Sequence, residues 1–464
     1  MVDILGTRVR YWQKCIQCEK VFYPIAFVYR CTSCNGLLMV ERDEDYINRF
    51  IGTGEMAQRY FNNRRYGEYR GTYPYGSGVF SWLEHILPGF PAELAVSMHE
   101  GFTDLFEIPN WLKKGVGLNN LFIKMEGKSP TGSFKDRGLA PAISEARRLQ
   151  EQYPELGVKF AVCASTGDTS AAAAAYCAHI RDKLGCVVLV PHERISPEQL
   201  SQALFAQAKV ISIKHPDGFD ACMAFVEEFC GRHPEMVLVN SENAFRIVGQ
   251  ETIALEICQD LHWKAPDWIA IPCGNGGNLT ALLTSLLRMY ERGLIDRMPG
   301  VIVAQTETAN TLVRWARSGF RDYKPGVAGD SIASAMNIQD PVSFKRIASL
   351  RCKVEMKYYD VAEDVIEPTR AMFMSTGADI CPQSAVALNA VLQAKSDGTI
   401  QENDVVVSIS TASGLKFVQS GIKFHMGEGE ERLMNPPIVV EGNIESIDEA
   451  VASVLSRGEY LLQP

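Results

Sequence analysis

Ser129-Pro130-Thr131-Gly132-Ser133-Phe134-Lys135-Asp136-Arg137-Gly138 places a lysine in a turn of small and hydroxylated residues. The amphipathic run Leu139 to Leu149 follows at once, so the amine falls at or near a helix N-terminus. Unpaired backbone N–H groups and the positive end of the helix dipole gather there. Both depress the pKa of a neighbouring ammonium and attract phosphate. A lysine that must lose its proton to condense with a carbonyl is well served by such a position. Taken alone, Lys135 beside Asp136 reads as the cap of a surface helix; two further loops weigh against that.

The first is Ser165-Thr166-Gly167-Asp168-Thr169-Ser170, which follows the apolar run Phe160–Ala164 and precedes Ala171–Ala175. Small residues ahead of an Ala-rich helix let backbone amides approach an anion closely. The second is Gly274-Asn275-Gly276-Gly277-Asn278, between the run Trp268–Pro272 and a helical pattern from Leu279. Its glycines supply a tight turn whose N–H groups can cradle a phosphate at a helix start. Each loop is common by itself. Together they describe a site for more than one anionic group beside a lysine. An imine-forming lysine with a phosphate cradle points to pyridoxal 5'-phosphate as cofactor.

The elements that must carry these loops alternate. Strand-like runs lie at Leu121–Lys124, Phe160–Ala164, Val187–Val190, Val210–Ile213, Val237–Val239, Trp268–Pro272, Val301–Ala304 and Val405–Ile409. Helical patterns such as Ser170–Lys183, Ala221–Cys230, Gln250–Leu261 and Thr280–Arg292 separate them. This order predicts an α/β protein with parallel, doubly wound sheets, whose ligands bind beyond the carboxyl ends of strands. The loops named above all sit at that end. Residues 43–91 are polar and rich in Gly and Tyr, and read as an extended N-terminal arm packed over a core. After Lys423 the chain turns acidic, then gives Pro437-Ile438-Val439-Val440 and a short helical run, read as a C-terminal arm.

Cys15-x2-Cys18 and Cys31-x2-Cys34, twelve residues apart, can set four thiolates around one Zn2+. The aromatic and β-branched stretch between them suits a zinc ribbon. A four-thiolate site is closed to substrate, so its expected role is structural; a knuckle that folds without metal is the competing reading. The other nine of the thirteen cysteines are scattered, several in apolar runs (Cys163, Cys186, Cys273), and read as small buried residues.

With 464 residues the chain is long enough for two or three domains. Its net charge of −9 argues against a nucleic-acid partner. No apolar run approaches the roughly 18–20 residues of a membrane span, and Met1–Gly6 does not read as a signal peptide. The expected location is the cytoplasm.

Three segments, Pro130–Gly138, Ala164–Ser170 and Gly274–Asn278, closely resemble motifs of the threonine synthase family of fold-type II pyridoxal-phosphate enzymes. Glu100–Thr103, Asn240–Arg246, Ala333–Asn337 and Ser410–Lys416 match it too, in the family's order from about residue 15 to 420, and the ribbon resembles the knuckle of some members. The resemblance implies two doubly wound parallel-sheet domains behind a zinc-ribbon-like knuckle. The boundaries are 1–45 for the knuckle, 46–127 with 236–425 for the larger cofactor-binding domain, 128–235 for a smaller mobile domain and 426–464 for the C-terminal arm. It implies Lys135 as the Schiff-base lysine, Gly274, Asn275, Gly276, Gly277 and Asn278 around the cofactor phosphate, Asp168 toward the cofactor's 3′-oxygen and Thr411 at the pyridine nitrogen. Ser165, Thr169, Asn240, Ser241, Arg246 and Asn278 match positions that hold the substrate's phosphate; a guanidinium suits that task. The substrate is then a phosphorylated amino acid, O-phospho-L-homoserine, turned with water into L-threonine and phosphate by a homodimer.

Two positions depart from the family pattern. Asp168 replaces the Asn of many members, although another branch also carries Gly-Asp-Thr, and a carboxylate beside a phenolic oxygen is repulsive unless the two share a proton. Ser413 stands where some members have His, so proton handling falls to Lys135 or the substrate phosphate. Rival readings are a cysteate-synthase-like enzyme using O-phosphoserine and sulfite, a threonine or serine dehydratase (which needs no phosphate pocket), and a ribbon-bearing binding protein with a vestigial fold.

Overall fold

The structure, a computed structural model, describes residues 9–165, 167–192, 197–216, 218–326, 329–428 and 431–457. Met1–Gly6 and Thr166 of the small-residue loop lie outside the described residues.

β1 (Tyr11–Cys15), β2 (Val21–Phe22) and β3 (Leu38–Arg42) form an antiparallel sheet in the order β2-β1-β3. The stretch expected to be an extended arm then differs: it contains α1 (Glu44–Ile51) and α2 (Gly54–Tyr66). Asp43 caps α1, its carboxylate accepting from the Tyr46 amide at 2.9 Å. In α2 only Ala57, Phe61 and Arg64 are buried, a stripe three to four residues apart on an otherwise polar sequence. That narrow stripe is why composition alone reads as an arm.

The remaining strands are β4 (Leu105–Glu107), β5 (Asn120–Met125), β6 (Phe160–Ala164), β7 (Gly185–Pro191), β8 (Lys209–Ile213) and β9 (Met236–Leu238). They continue with β10 (Trp268–Pro272), β11 (Gly300–Thr306), β12 (Met356–Val361) and β13 (Val405–Ser410). The anticipated strands are present, with ends moved by one or two residues. One sheet runs β12-β11-β10-β13-β5-β4, parallel except for the β4–β5 pair; the other runs β8-β7-β6-β9 and is parallel throughout. Central strands are near-continuous apolar runs because helices cover both faces. On β10, Ile269 and Ile271 face one core and Ala270 faces the other.

Strand order reverses at β10 in the six-stranded sheet and at β6 in the four-stranded one. Those are the places where a parallel sheet opens a crevice beyond its strand ends. The helices that begin at such ends are α3 (Lys135–Gln152), α4 (Asp168–His179) and, after the adjacent pair α5 (Ala244–Gln250) and α6 (Thr252–Asp260), α7 (Gly277–Glu291). α8 (Pro382–Ser396) packs against the far face of the larger sheet. Among the described residues no helix is long and apolar enough to cross a membrane.

Candidate active site

Two backbone hydrogen bonds strap the lysine turn to the loop after β13: Phe134 N donates to Thr411 O at 2.9 Å and Ser413 N to Gly132 O at 3.0 Å. Within the turn, Asp136 accepts from Thr131 N at 2.7 Å and Thr131 Oγ1 at 2.6 Å. Asp136 therefore folds the turn and makes no pair with Lys135. Burial pushes its carboxyl up to about 7 despite these bonds. Behind the turn, α3 and α5 approach closely through their glycines. A Cβ on Gly249 would lie 1.8 Å from Arg137 O, and one on Gly138 would lie 2.8 Å from Gln250 Nε2. Pro141, four residues after Arg137, removes the N–H that would otherwise bond to that carbonyl.

Lys135 is the first residue of α3, as expected, and its ammonium lies 4.4 Å from the Phe134 ring. Burial, reinforced by repulsion from Arg246 and opposed by attraction to Asp168, brings its amine down to about 7. Its neighbours in one cleft include Asp168, Arg246, Asn278 and Thr411.

The Gly274–Asn278 loop forms another wall of that cleft. A Cβ on Gly274 would lie 2.7 Å from Ala335 O, and Gly276 has φ +76°. Only glycine meets both demands without strain. α7 begins at Gly277, so its first N–H groups lack intrahelical acceptors. Asn278 Nδ2 is buried with no partner. A close-approach backbone, a helix start and an unpaired donor fit the phosphate of pyridoxal phosphate. Across the cleft, Thr411 lines the wall, its Oγ1 3.5 Å from Cys381 Sγ.

The residues expected around a substrate phosphate separate into two groups. Ser241, Arg246 and Asn278 line the cleft. Arg246 donates to Val239 O at 3.1 Å and Thr169 Oγ1 at 3.3 Å, which leaves its buried Nε unpaired and sets Thr169 directly behind it. Asn240 is engaged otherwise: its amide both accepts from Ala164 N at 2.9 Å and donates to Ala164 O at 2.8 Å, extending the β6–β9 edge. Ser165 Oγ accepts from Gly167 N at 3.2 Å and shapes the loop ahead of α4.

Two cleft residues, and a lysine that contacts the cleft's Asp168, are given no role by the sequence. Gln383, on α8, lines the cleft with both amide atoms buried and unpaired, and Gln250 does so with Oε1 unpaired. Glutamines inside helical patterns look like any other. Lys416 donates to Asp168 Oδ1 at 2.7 Å and to Thr131 O at 2.8 Å, a contact between segments far apart in the chain.

Remote from the cleft, the sulfurs of Cys15, Cys18, Cys31 and Cys34 all lie within 4.8 Å of one another. Gln17 N and Ser33 N each donate to a knuckle sulfur at 3.4 Å. Glu19 and Asn35 hold matching left-handed conformations, φ 61° and 56°, so the knuckles share a geometry although only the second has glycine next. A Cβ on Gly36 would lie 2.8 Å from Cys15 Sγ.

Residues 96–412 match the family model of pyridoxal-phosphate dependent enzymes. The chain is 38% identical over 437 residues to threonine synthase 2, chloroplastic, of Arabidopsis thaliana, covering 93% of this chain and 82% of that one. It is 32% identical over 412 residues to a threonine synthase of Methanocaldococcus jannaschii, covering 89% and 94%. The crystal structure of threonine synthase from Escherichia coli shares the fold, with TM-score 0.64, 19% identity and coverage of 95% of this chain and 94% of that one.

Proposed function

Since the chain belongs to the family of pyridoxal-phosphate dependent enzymes, we propose that it acts as a threonine synthase, converting O-phospho-L-homoserine and water to L-threonine and phosphate. The carrying observation is that Lys135, the Gly274–Asn278 cradle and the Arg246 guanidinium line one cleft.

In this reading Lys135 would hold the cofactor through its amine and Gly274 to Asn278 would hold its phosphate, with Asp168 assigned to its 3′-oxygen and Thr411 to its pyridine nitrogen. Pyridoxal phosphate, when bound, supplies the electron sink that makes the substrate's Cα–H acidic. Arg246, with Ser241 and Asn278, binds the substrate phosphate, and that remote grip orients the carbon chain. The free Lys135 amine takes the proton from Cα. One Cβ proton is lost, phosphate leaves Cγ with the bonding pair and takes up a proton, Cγ gains a proton, water delivers its hydroxyl to Cβ and releases its remaining proton, and Lys135 returns a proton to Cα. Thr411 offers a neutral hydroxyl, which suits elimination over transamination. Cys15, Cys18, Cys31 and Cys34 would hold a structural Zn2+: Zn–S bonds of about 2.3 Å place tetrahedral sulfurs roughly 3.8 Å apart. We take the enzyme to be a homodimer, on the family expectation.

The test is to incubate the holoenzyme and its Lys135→Ala variant with O-phospho-L-homoserine and follow phosphate and threonine together. The parent is expected to release them in equal amounts, and the variant to be slower by about 100-fold or more. Threonine from the variant at the parent rate would sink the proposal. Phosphate without threonine, or cysteate from O-phosphoserine and sulfite, would transfer it to the rival synthase.

A further inference from the structure

A carboxylate lining the same cleft as a lysine that must act as a base poses an electrostatic problem. Asp168 attracts Lys135 in its charged form and so works against the free amine. The charged groups facing Lys135 are Arg246, from α5, and Asp168, at the start of α4; neighbouring Asp136 is taken up by Thr131. Arg246 opposes the ammonium, but its charge is wanted for an anionic ligand and is cancelled once one binds. A second means of restraining Asp168 is therefore needed in the loaded cleft.

The structure contains one. Lys416, in the loop after β13, reaches Asp168 Oδ1 at 2.7 Å, and both side chains are about nine-tenths buried, with 9% and 11% of their surface exposed. The same ammonium donates to Thr131 O at 2.8 Å, in the lysine turn itself. One buried cation thus joins the end of β6, the end of β13 and the turn that carries the reactive amine. We propose that Lys416 is the counter-ion of Asp168, a positioning residue that neutralises this carboxylate so that Lys135 remains an available base. A buried ammonium on a buried carboxylate is strongly coupled, and removing either partner leaves the other uncompensated.

The inference rests on Lys135 being the acting amine. Its test reads the pH midpoint at which the amine of cofactor-free protein captures pyridoxal phosphate, followed by absorbance, and the acid limb of kcat/KM of the holoenzyme. Lys416→Met is expected to raise both midpoints by roughly one unit, Lys416→Arg to leave them near the parent, and Asp168→Asn/Lys416→Met to restore them. Where Lys416→Met does not fold, Lys416→Gln, which keeps a donor for Thr131 O without the charge, serves in its place. Unchanged midpoints in the neutral variants, or a double variant no better than the single, would overturn the assignment. A catalytically competent Lys135→Ala protein would instead overturn the reading of Lys135, so the two failures are distinguishable.

Discussion

At Lys135 three influences compete: burial and Arg246 favour the neutral amine, and Asp168 favours the ammonium. The sign follows directly. A lysine in water gives up its proton near pH 10.4, whereas this one does so at about 7. The free-base fraction therefore grows as pH rises through 7 and is nearly complete by 8. Capture of pyridoxal phosphate by cofactor-free protein is expected to accelerate with pH about a midpoint near 7, measured by stopped-flow absorbance. A midpoint near 10 would show an amine bathed in solvent. The lysine turn and both small-residue loops were legible in the sequence because their signal is local: small residues beside a strand end. The roles of Lys416 and Gln383 were not, since what distinguishes them is a partner, or a missing partner, far away in the chain.

Strands and loops follow the same division. Buried parallel strands such as β11 and β13 are continuous apolar runs and show themselves plainly. β4 and β12 escape notice because they are edge strands, only partly buried, with mixed sequences. α2 is hidden by its single apolar stripe. The ribbon was legible as a cysteine pattern, but its attachment was not. Arg346 donates to Leu38 O at 2.7 Å and to Ser241 O and Glu242 O, each at 3.2 Å. Tyr29 Oη accepts from Leu238 N at 2.8 Å. The ribbon thus braces the segment that carries Ser241 and Arg246. On the proposed zinc assignment, chelation, or changing Cys31 to Ser, is expected to release about one equivalent of zinc per chain and to raise KM several-fold with little change in kcat. Protein that purifies without metal, and whose kinetics a chelator does not alter, would refute the zinc assignment.

Across the whole molecule, a buried charge network ties the layers together. Arg137 binds Glu126 and Glu256, each with a closest contact of 2.6 Å. Lys124 binds Glu256 at 2.8 Å and Asp260 at 3.2 Å, and Arg65 meets Asp260 at 2.6 Å. Three cations answer three carboxylates, linking α2, β5, α3 and α6. Burial alone would raise the carboxyl pKa of Glu256, but Arg137 and then Lys124 hold it well below the usual carboxylate range. Its stabilising contribution is thus present above about pH 4.3 and is lost as pH falls from there toward the depressed value. Arg137→Met leaves one lysine to answer two buried glutamates. It is expected to cost about 3–5 kcal/mol and to flatten the acid limb of stability, both measured by urea denaturation at several pH values. A loss below about 1 kcal/mol would mean that the network is dispensable.

The close backbone contact between α3 and α5 acts as a gauge block. Arg137's carbonyl, deprived of its helical donor by Pro141, sits where a methyl group on residue 249 would have to go. The spacing between the helices that carry Lys135 and Arg246 is therefore set by backbone atoms in hard contact. Even the smallest addition at 249 would pry the two apart and alter the length of molecule the cleft accepts.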